Sequence, residues 1–313
     1  MRFFRFTMVL ILLFSFSYAD GKKLAYIVSD IRIPFWDIMA RGIEKSASKY
    51  GYSLKVYSAN NIKKDELRNM VSAIKDGVDG IIISPTSSSS AVTLLKLAKK
   101  ENIPVVISDI GTDSGDYLSF ISSDNLDGAY NIGLVLAKKM EKLGIAKDGR
   151  VGIIAIPQKR VNGQLRTKGF MKAMGEYGIK GSDIKQQVTF SHKETYNFSL
   201  ELIKKYPDLK AIWLQGSDRY RAALEAIAIS KKEILLICFD AEPEFLDLIP
   251  NGTLVGAAMQ QPYLMGEKSV DVMIDHLNGK VIKKDIQLPI LAISKDNIED
   301  KLPTIKRNVL GLE

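Results

Sequence analysis

A chain of 313 residues exceeds the roughly 100–200 residues of an ordinary domain and predicts two lobes with a cleft between them. Its only cysteine, Cys238, lies in an apolar run and reads as a small buried residue; with two histidines besides, disulfide, thiol-redox, zinc and imidazole chemistry are poorly supplied, so neither a metal nor a cofactor is expected. The 44 basic side chains outnumber the 36 acidic ones, but they come as scattered pairs such as Lys63 with Lys64 and Lys204 with Lys205, which reads as solvated surface and excludes a nucleic-acid stripe.

Residues 2–19 have the pattern of an export leader: Arg2 and Arg5, then the apolar run Met8 to Phe14, then the small-residue exit Ser17-Tyr18-Ala19. Cleavage after about Ala19 and a periplasmic mature chain are expected. The apolar run is shorter than the roughly 20 residues a membrane span needs, and no cysteine follows the cut to carry a lipid.

Beyond the leader, short apolar runs bounded by turn residues alternate with segments of helical period. Strands are expected at Leu24 to Ser29, Leu54 to Tyr57, Gly80 to Ser84 and Pro104 to Ser108. A second series is expected at Val151 to Ile156, Val188 to Phe190, Ala211 to Leu214, Ile234 to Phe239 and Leu254 to Ala258. Helices are expected at Phe35 to Tyr50, Glu66 to Lys75, Ala91 to Lys100 and Leu126 to Leu143. Gly51 and Gly77 fall where glycine ends a helix, and the hydroxyls of Ser87 to Ser90 fall where a helix is capped. The alternation predicts an α/β protein with two successive doubly wound parallel sheets.

In such sheets ligands settle at the carboxyl ends of the strands. There the sequence places Ser29, Phe35, Trp36, Asp109, Phe190, the segment Gln215 to Arg219, Asp240, Gln260 and Gln261, with Arg166 on a following helix. Carboxylates accept, a guanidinium donates and amides do both, so the set suits sugar hydroxyls, while the aromatic faces suit the C–H face of a ring. Two carboxylates against one guanidinium argue against an anionic guest, unless Arg32 or Arg219 also turns inward. Taken alone, Asp109 and Asp240 read equally well as helix caps, and Phe35 with Trp36 as core. As an acid and nucleophile pair, the two aspartates would instead make a secreted glycosidase, although no turnover motif accompanies them.

The segments Ala25-Tyr-Ile-Val-Ser29, Pro34-Phe35-Trp36, Gly77 to Thr86, Ile103-Pro-Val-Val106 with Asp109, Ser123-Asp-Asn125, Arg166 with Gly169-Phe170, Tyr206-Pro-Asp208, Phe239-Asp240 and Gln260 before Pro262 run in one order along the chain. In that order the chain resembles the periplasmic sugar-binding proteins of the ribose-binding type, whose fold the lac-repressor family shares. The resemblance implies ligand contacts at Ser29, Phe35, Trp36, Asp109, Arg166, Phe190, Asp240 and Gln260. Ile33, Ile110 and Gly216 stand where ribose-binding relatives carry asparagine, arginine and asparagine, which favours a less hydroxylated guest than ribose.

It also implies a leader at 1–19, an N-terminal lobe of 22–123 plus 261–288, a C-terminal lobe of 124–260 plus 289–296, and a tail at 297–313, with three crossings between the lobes. A monomer would then close on its guest by a hinge and present it to an ABC permease, or report it to a sensor kinase or chemoreceptor. A DNA-binding repressor is excluded, because a leader occupies the place of the helix-turn-helix.

Overall fold

The structure is a computed structural model that describes residues 21–312. The leader and its cleavage point lie outside the described residues. The first half of the chain supplies strands β1 (Lys23–Val28), β2 (Ser53–Ser58), β3 (Gly80–Ser84), β4 (Val105–Ser108) and β5 (Ser119–Ser123), linked by helices α1 (Pro34–Lys49), α2 (Lys63–Lys75) and α3 (Ser88–Lys100). Helix α4 (Asn125–Lys142) leads to β6 (Arg150–Ala155), β7 (Lys180–Gln186), β8 (Leu209–Leu214), β9 (Leu235–Phe239) and β10 (Gly256–Met259). Their links are α5 (Val161–Glu176), α6 (His192–Lys205), α7 (Tyr220–Ser230) and the short α8 (Phe245–Leu248). After α9 (Pro262–Leu277), β11 (Asp285–Leu288) joins the first sheet and β12 (Leu291–Ser294) the second.

The sheet orders are β11-β5-β4-β3-β1-β2 and β12-β10-β9-β8-β6-β7, parallel throughout except for β12 against β10. The chain therefore crosses between sheets after β5, after β10 and between β11 and β12, giving two lobes on three strands of chain.

Parallel strands covered on both faces must be apolar without alternation, and β1, β3 and β4 are buried almost end to end. Leu24, Tyr26 and Val28 pack toward α1 and α9, while Ala25 and Ile27 pack toward α2 and α3. The second lobe repeats the plan, with Val151, Ile153 and Ala155 facing α4 and α5. Helices α1 and α9 approach so closely that a Cβ on Gly42 would stand 2.3 Å from the Tyr263 carbonyl oxygen; a Cβ on Gly169, where α5 meets α4, would stand 2.1 Å from that of Leu126. Any larger residue at either position forces the helix pair apart.

Several elements differ from the sequence expectation. The strand expected at Val188 to Phe190 ends earlier, at Gln186, and 188–190 form a loop whose three N–H groups bond the carboxylate of Glu194. Strands β5 and β11 carry too many polar residues to stand out as apolar runs, and β12, Leu291–Ser294, is a four-residue strand that was not expected. Ser87 caps α3 in a reciprocal box with Ser90, as its position suggested. The tail is not loose: α10 (Ile298–Thr304) and a π-helical turn at Ile305–Val309 bury Ile298, Ile305 and Val309 in the second lobe's core. Arg41 of α1 donates to the carbonyls of Leu310 and Gly311, so the tail also ties to the first lobe's helix layer. Cys238 is buried in the same core, and burial pushes its thiol pKa up, away from reactivity. No helix among the described residues is long and apolar enough to cross a membrane.

Candidate functional site

Each lobe ends a central strand with the same device. Asp109 follows β4 at φ 64° and Asp240 follows β9 at φ 66°, both in the left-handed region that non-glycine residues seldom occupy. Their N–H groups bond the carbonyls of Ile121 and Ala258, each at 2.9 Å, which locks the turn and aims both carboxylates between the lobes. Phe190 is held at φ 52° by its N–H bond to Glu194 and by Arg219, whose Nε donates to its carbonyl at 2.5 Å. Such backbone costs of order 1–3 kcal/mol at each residue, and here it gathers on one cavity.

That cavity of about 70 Å³ is lined by Phe35, Trp36, Asp109, Arg166, Phe190, Asp240 and Gln260, together with Ile33, Ile156, Arg160, Asn162, Gln187, Gly216 and Asp218. Phe35 and Trp36 come from the start of α1, where Pro34 opens the helix, and stand edge to face at 4.9 Å. The space admits a handful of waters, or one small ring in their place.

Ser29 does not line this cavity. It is fully buried, and its hydroxyl donates to Asn61 Oδ1 at 2.9 Å, where it supports the loop after β1. Arg32 is turned away in a forked pair with Asp30. The neighbouring glutamines separate cleanly: Gln260 faces the cavity, while Gln261 donates to Pro289 O and accepts from Asn308, bracing two crossings.

In the second lobe Asp240 and Arg166 are tied to protein partners. Gln260 Nε2 donates to Asp240 Oδ1 at 2.6 Å, and Arg166 Nη1 lies 3.7 Å from Asp240 Oδ2. Arg166 also donates to Asn125 Oδ1 and to the Gln215 carbonyl, both at 2.8 Å, and stacks 3.8 Å over the Phe239 ring. By contrast, Asp109 Oδ1, Asp218 Oδ2 and Gln260 Oε1 are buried without a hydrogen-bond partner. Arg219 lies 3.1 Å from that Asp218 oxygen, but as an ion pair outside hydrogen-bond geometry.

Sequence reasoning missed Arg160, Asn162 and Gln187, and named Asp218 only within a segment. The signal was available: 156–160 is the loop at the carboxyl end of β6, Asn162 lies in the first turn of α5, and Gln187 directly follows β7. Arg160 is the consequential omission. From the second lobe its Nη2 donates to Thr86 O of the first at 3.3 Å, and the buried Glu66 holds Thr86 through its N–H and hydroxyl at 2.6 and 3.0 Å. Ile110, where the resemblance expects arginine, is buried in the first lobe's core; a guanidinium reaches the cavity from the opposite lobe instead.

Burial raises Asp109 to about 6, opposed by Arg166 and Arg160 and assisted by Asp240. Burial also raises Asp240 and Asp218, each offset by a neighbouring arginine. Burial lowers Arg160 and Arg166, against the pull of the carboxylates. Three lining carboxylates face two lining guanidiniums, with Arg219 set against the third carboxylate, Asp218, and the orphaned atoms of the cavity are all acceptors. A guest rich in hydroxyl donors satisfies them; a phosphate or carboxylate adds repulsion. Among the described residues there is no cluster of His, Cys, Asp and Glu that could hold a metal.

Two α/β lobes joined by three crossings, with buried polar groups converging on a cavity between them, have the architecture of a binding module for a small molecule. The chain belongs to the periplasmic binding protein family, whose domain model matches residues 24–281. It is similar to the ribose import binding protein of Bacillus subtilis, at 28% identity over 84% of each chain, and to that of Escherichia coli, at 27% over 87% of this chain and 90% of the other. Among solved structures it superposes on a carbohydrate transporter solute-binding protein from Agrobacterium radiobacter in complex with D-arabinose, with a TM-score of 0.84 and 22% identity over 93% of this chain and 99% of that one.

Proposed function

We propose that this protein captures a small neutral sugar between its lobes in the periplasm, after loss of the leader at about Ala19, and presents it to an ABC importer. The observation that carries the reading is the set of buried acceptors that receive no hydrogen bond, Asp109 Oδ1, Asp218 Oδ2 and Gln260 Oε1, around a cavity that also offers the Phe35, Trp36 and Phe190 side chains. Buried acceptors without donors are costly, and a polyhydroxylated ring relieves several at once. Ser29 drops out of the proposed contacts; Phe35, Trp36, Asp109, Arg166, Phe190, Asp240 and Gln260 remain, joined by Arg160, Asn162 and Asp218.

Closure follows from the geometry. Asp109 belongs to the first lobe and Asp240, Arg166 and Asp218 to the second, so a guest bonded to both walls binds the closed arrangement better than the open one. The Arg160 to Thr86 bond is made only when the lobes meet. Binding itself needs no bond broken in the guest, and the Bacillus subtilis and Escherichia coli relatives are import binding proteins. A thermal-shift screen of the mature protein against pentoses, hexoses, deoxy sugars, polyols and sugar phosphates tests the reading. A neutral sugar should raise the melting temperature and its phosphate should not; no shift with any neutral sugar would overturn it.

A further inference from the structure

A second cavity, of about 330 Å³, adjoins the first and shares Asp109 and Asn162 with it as lining residues. Its walls come from the first lobe at Tyr117 and Phe120 and from the start of α5 at Val161 and Leu165, so it too lies between the lobes. Ser88 Oγ and Ser123 Oγ line it, and both are buried without a hydrogen-bond partner. These residues are only 4% and 3% exposed, so solvent contact does not account for the unmet hydroxyls. Neither serine touches the smaller cavity.

We propose that the site is bipartite: a sugar ring fills the smaller cavity, and a group linked to that ring through oxygen fills the larger one. The guest is then a glycoside, not a free monosaccharide. This rests on the reading that the smaller cavity holds a sugar ring. The larger chamber has the chemistry for the linked group, since the Tyr117 and Phe120 rings and the Val161 and Leu165 side chains offer apolar surface while the two serines supply hydroxyls. Asp109 lines both cavities, so one carboxylate can serve the ring on one side and the linked group on the other.

The test is calorimetric titration of the mature protein with D-ribose, D-allose, D-arabinose and D-galactose, and with both anomers of their methyl and phenyl glycosides. For the sugar that binds, a phenyl glycoside should bind at least tenfold more tightly than the free sugar. Val161 is half exposed on the surface of α5, so Val161→Trp fills the chamber without disturbing the core. That variant, checked for an unchanged melting temperature without ligand, should erase the tenfold gain and leave the free sugar within about twofold of wild type. Free sugars that bind while every glycoside binds more weakly would overturn the bipartite site and leave the sugar reading standing. A gain that survives Val161→Trp would place the linked group elsewhere and equally overturn the proposal. Binding of neither set would sink the sugar reading, and this inference with it.

Discussion

Asp109 and Asp240 occupy the same station in their lobes, each one residue past a central strand, each with positive φ, each with its N–H bonded across to the neighbouring strand. Their side chains live differently. Asp240 is bonded to Gln260 and flanked by Arg166, which is itself fixed by Asn125, Gln215 and the Phe239 ring. Asp109 has an oxygen with no partner at all. One fold device, used twice, thus yields one aspartate held by protein partners and one with a carboxylate oxygen that has none. On the proposed reading, the first gives the pocket its shape without ligand and the second gives closure its driving force.

The comparison breaks most visibly at Arg166. Arg166→Ala leaves Asp240 buried with a reduced partner set and should cost about 3–5 kcal/mol of stability in denaturant titration of the ligand-free protein. A loss below about 1 kcal/mol would show that the second wall is not held by this network. Asp109→Asn should act on binding instead. It removes a desolvated charge, so stability without ligand should hold or rise, while sugar affinity falls about 10- to 100-fold, as expected for a hydrogen bond to a charged acceptor worth about 1.5–3 kcal/mol.

The pH dependence separates the walls without mutation. Because burial raises Asp109 to about 6, the folded ligand-free protein holds that proton more tightly than the unfolded chain does. Its contribution to stability therefore rises as pH falls through about 6 and is lost as pH climbs above it. Sugar hydroxyls donate to the ionised form, so affinity should move the other way, falling by up to about tenfold per pH unit below about 6. Asp109→Asn should flatten that slope; a slope unchanged in the variant would assign the titration to another group. The smallest effect is expected at Ser29. Ser29→Ala breaks its bond to Asn61 and should cost about 1 kcal/mol of stability, with sugar affinity within twofold of wild type.

Apolar runs made the parallel strands legible, and the rule that ligands gather at their carboxyl ends made Asp109, Asp240 and Gln260 legible. What escaped did so for physical reasons. Strands β5, β11 and β12 sit where sheets end or the chain changes lobe; polar residues mask the pattern in β5 and β11, and β12 is only four residues long. Phe190 was placed at a strand end, but it belongs to a loop wrapped on Glu194, a tertiary arrangement that no periodicity announces. Arg160 could have been found from its loop after β6. Its bond to Thr86 could not, because that contact joins residues 74 apart across two lobes. Ser29 was misplaced because following a strand fixes where the backbone goes, not whether a short side chain reaches the cavity.

The account turns on one guest held by both walls at once. Calorimetric titration of the sugar that best stabilises the wild type, repeated on a folded Asp109→Asn/Asp240→Asn double variant, tests this most directly. One-to-one binding in the wild type and none detectable in the double variant is the expected result. Wild-type affinity in the double variant would mean that the sugar is bound somewhere other than between the lobes.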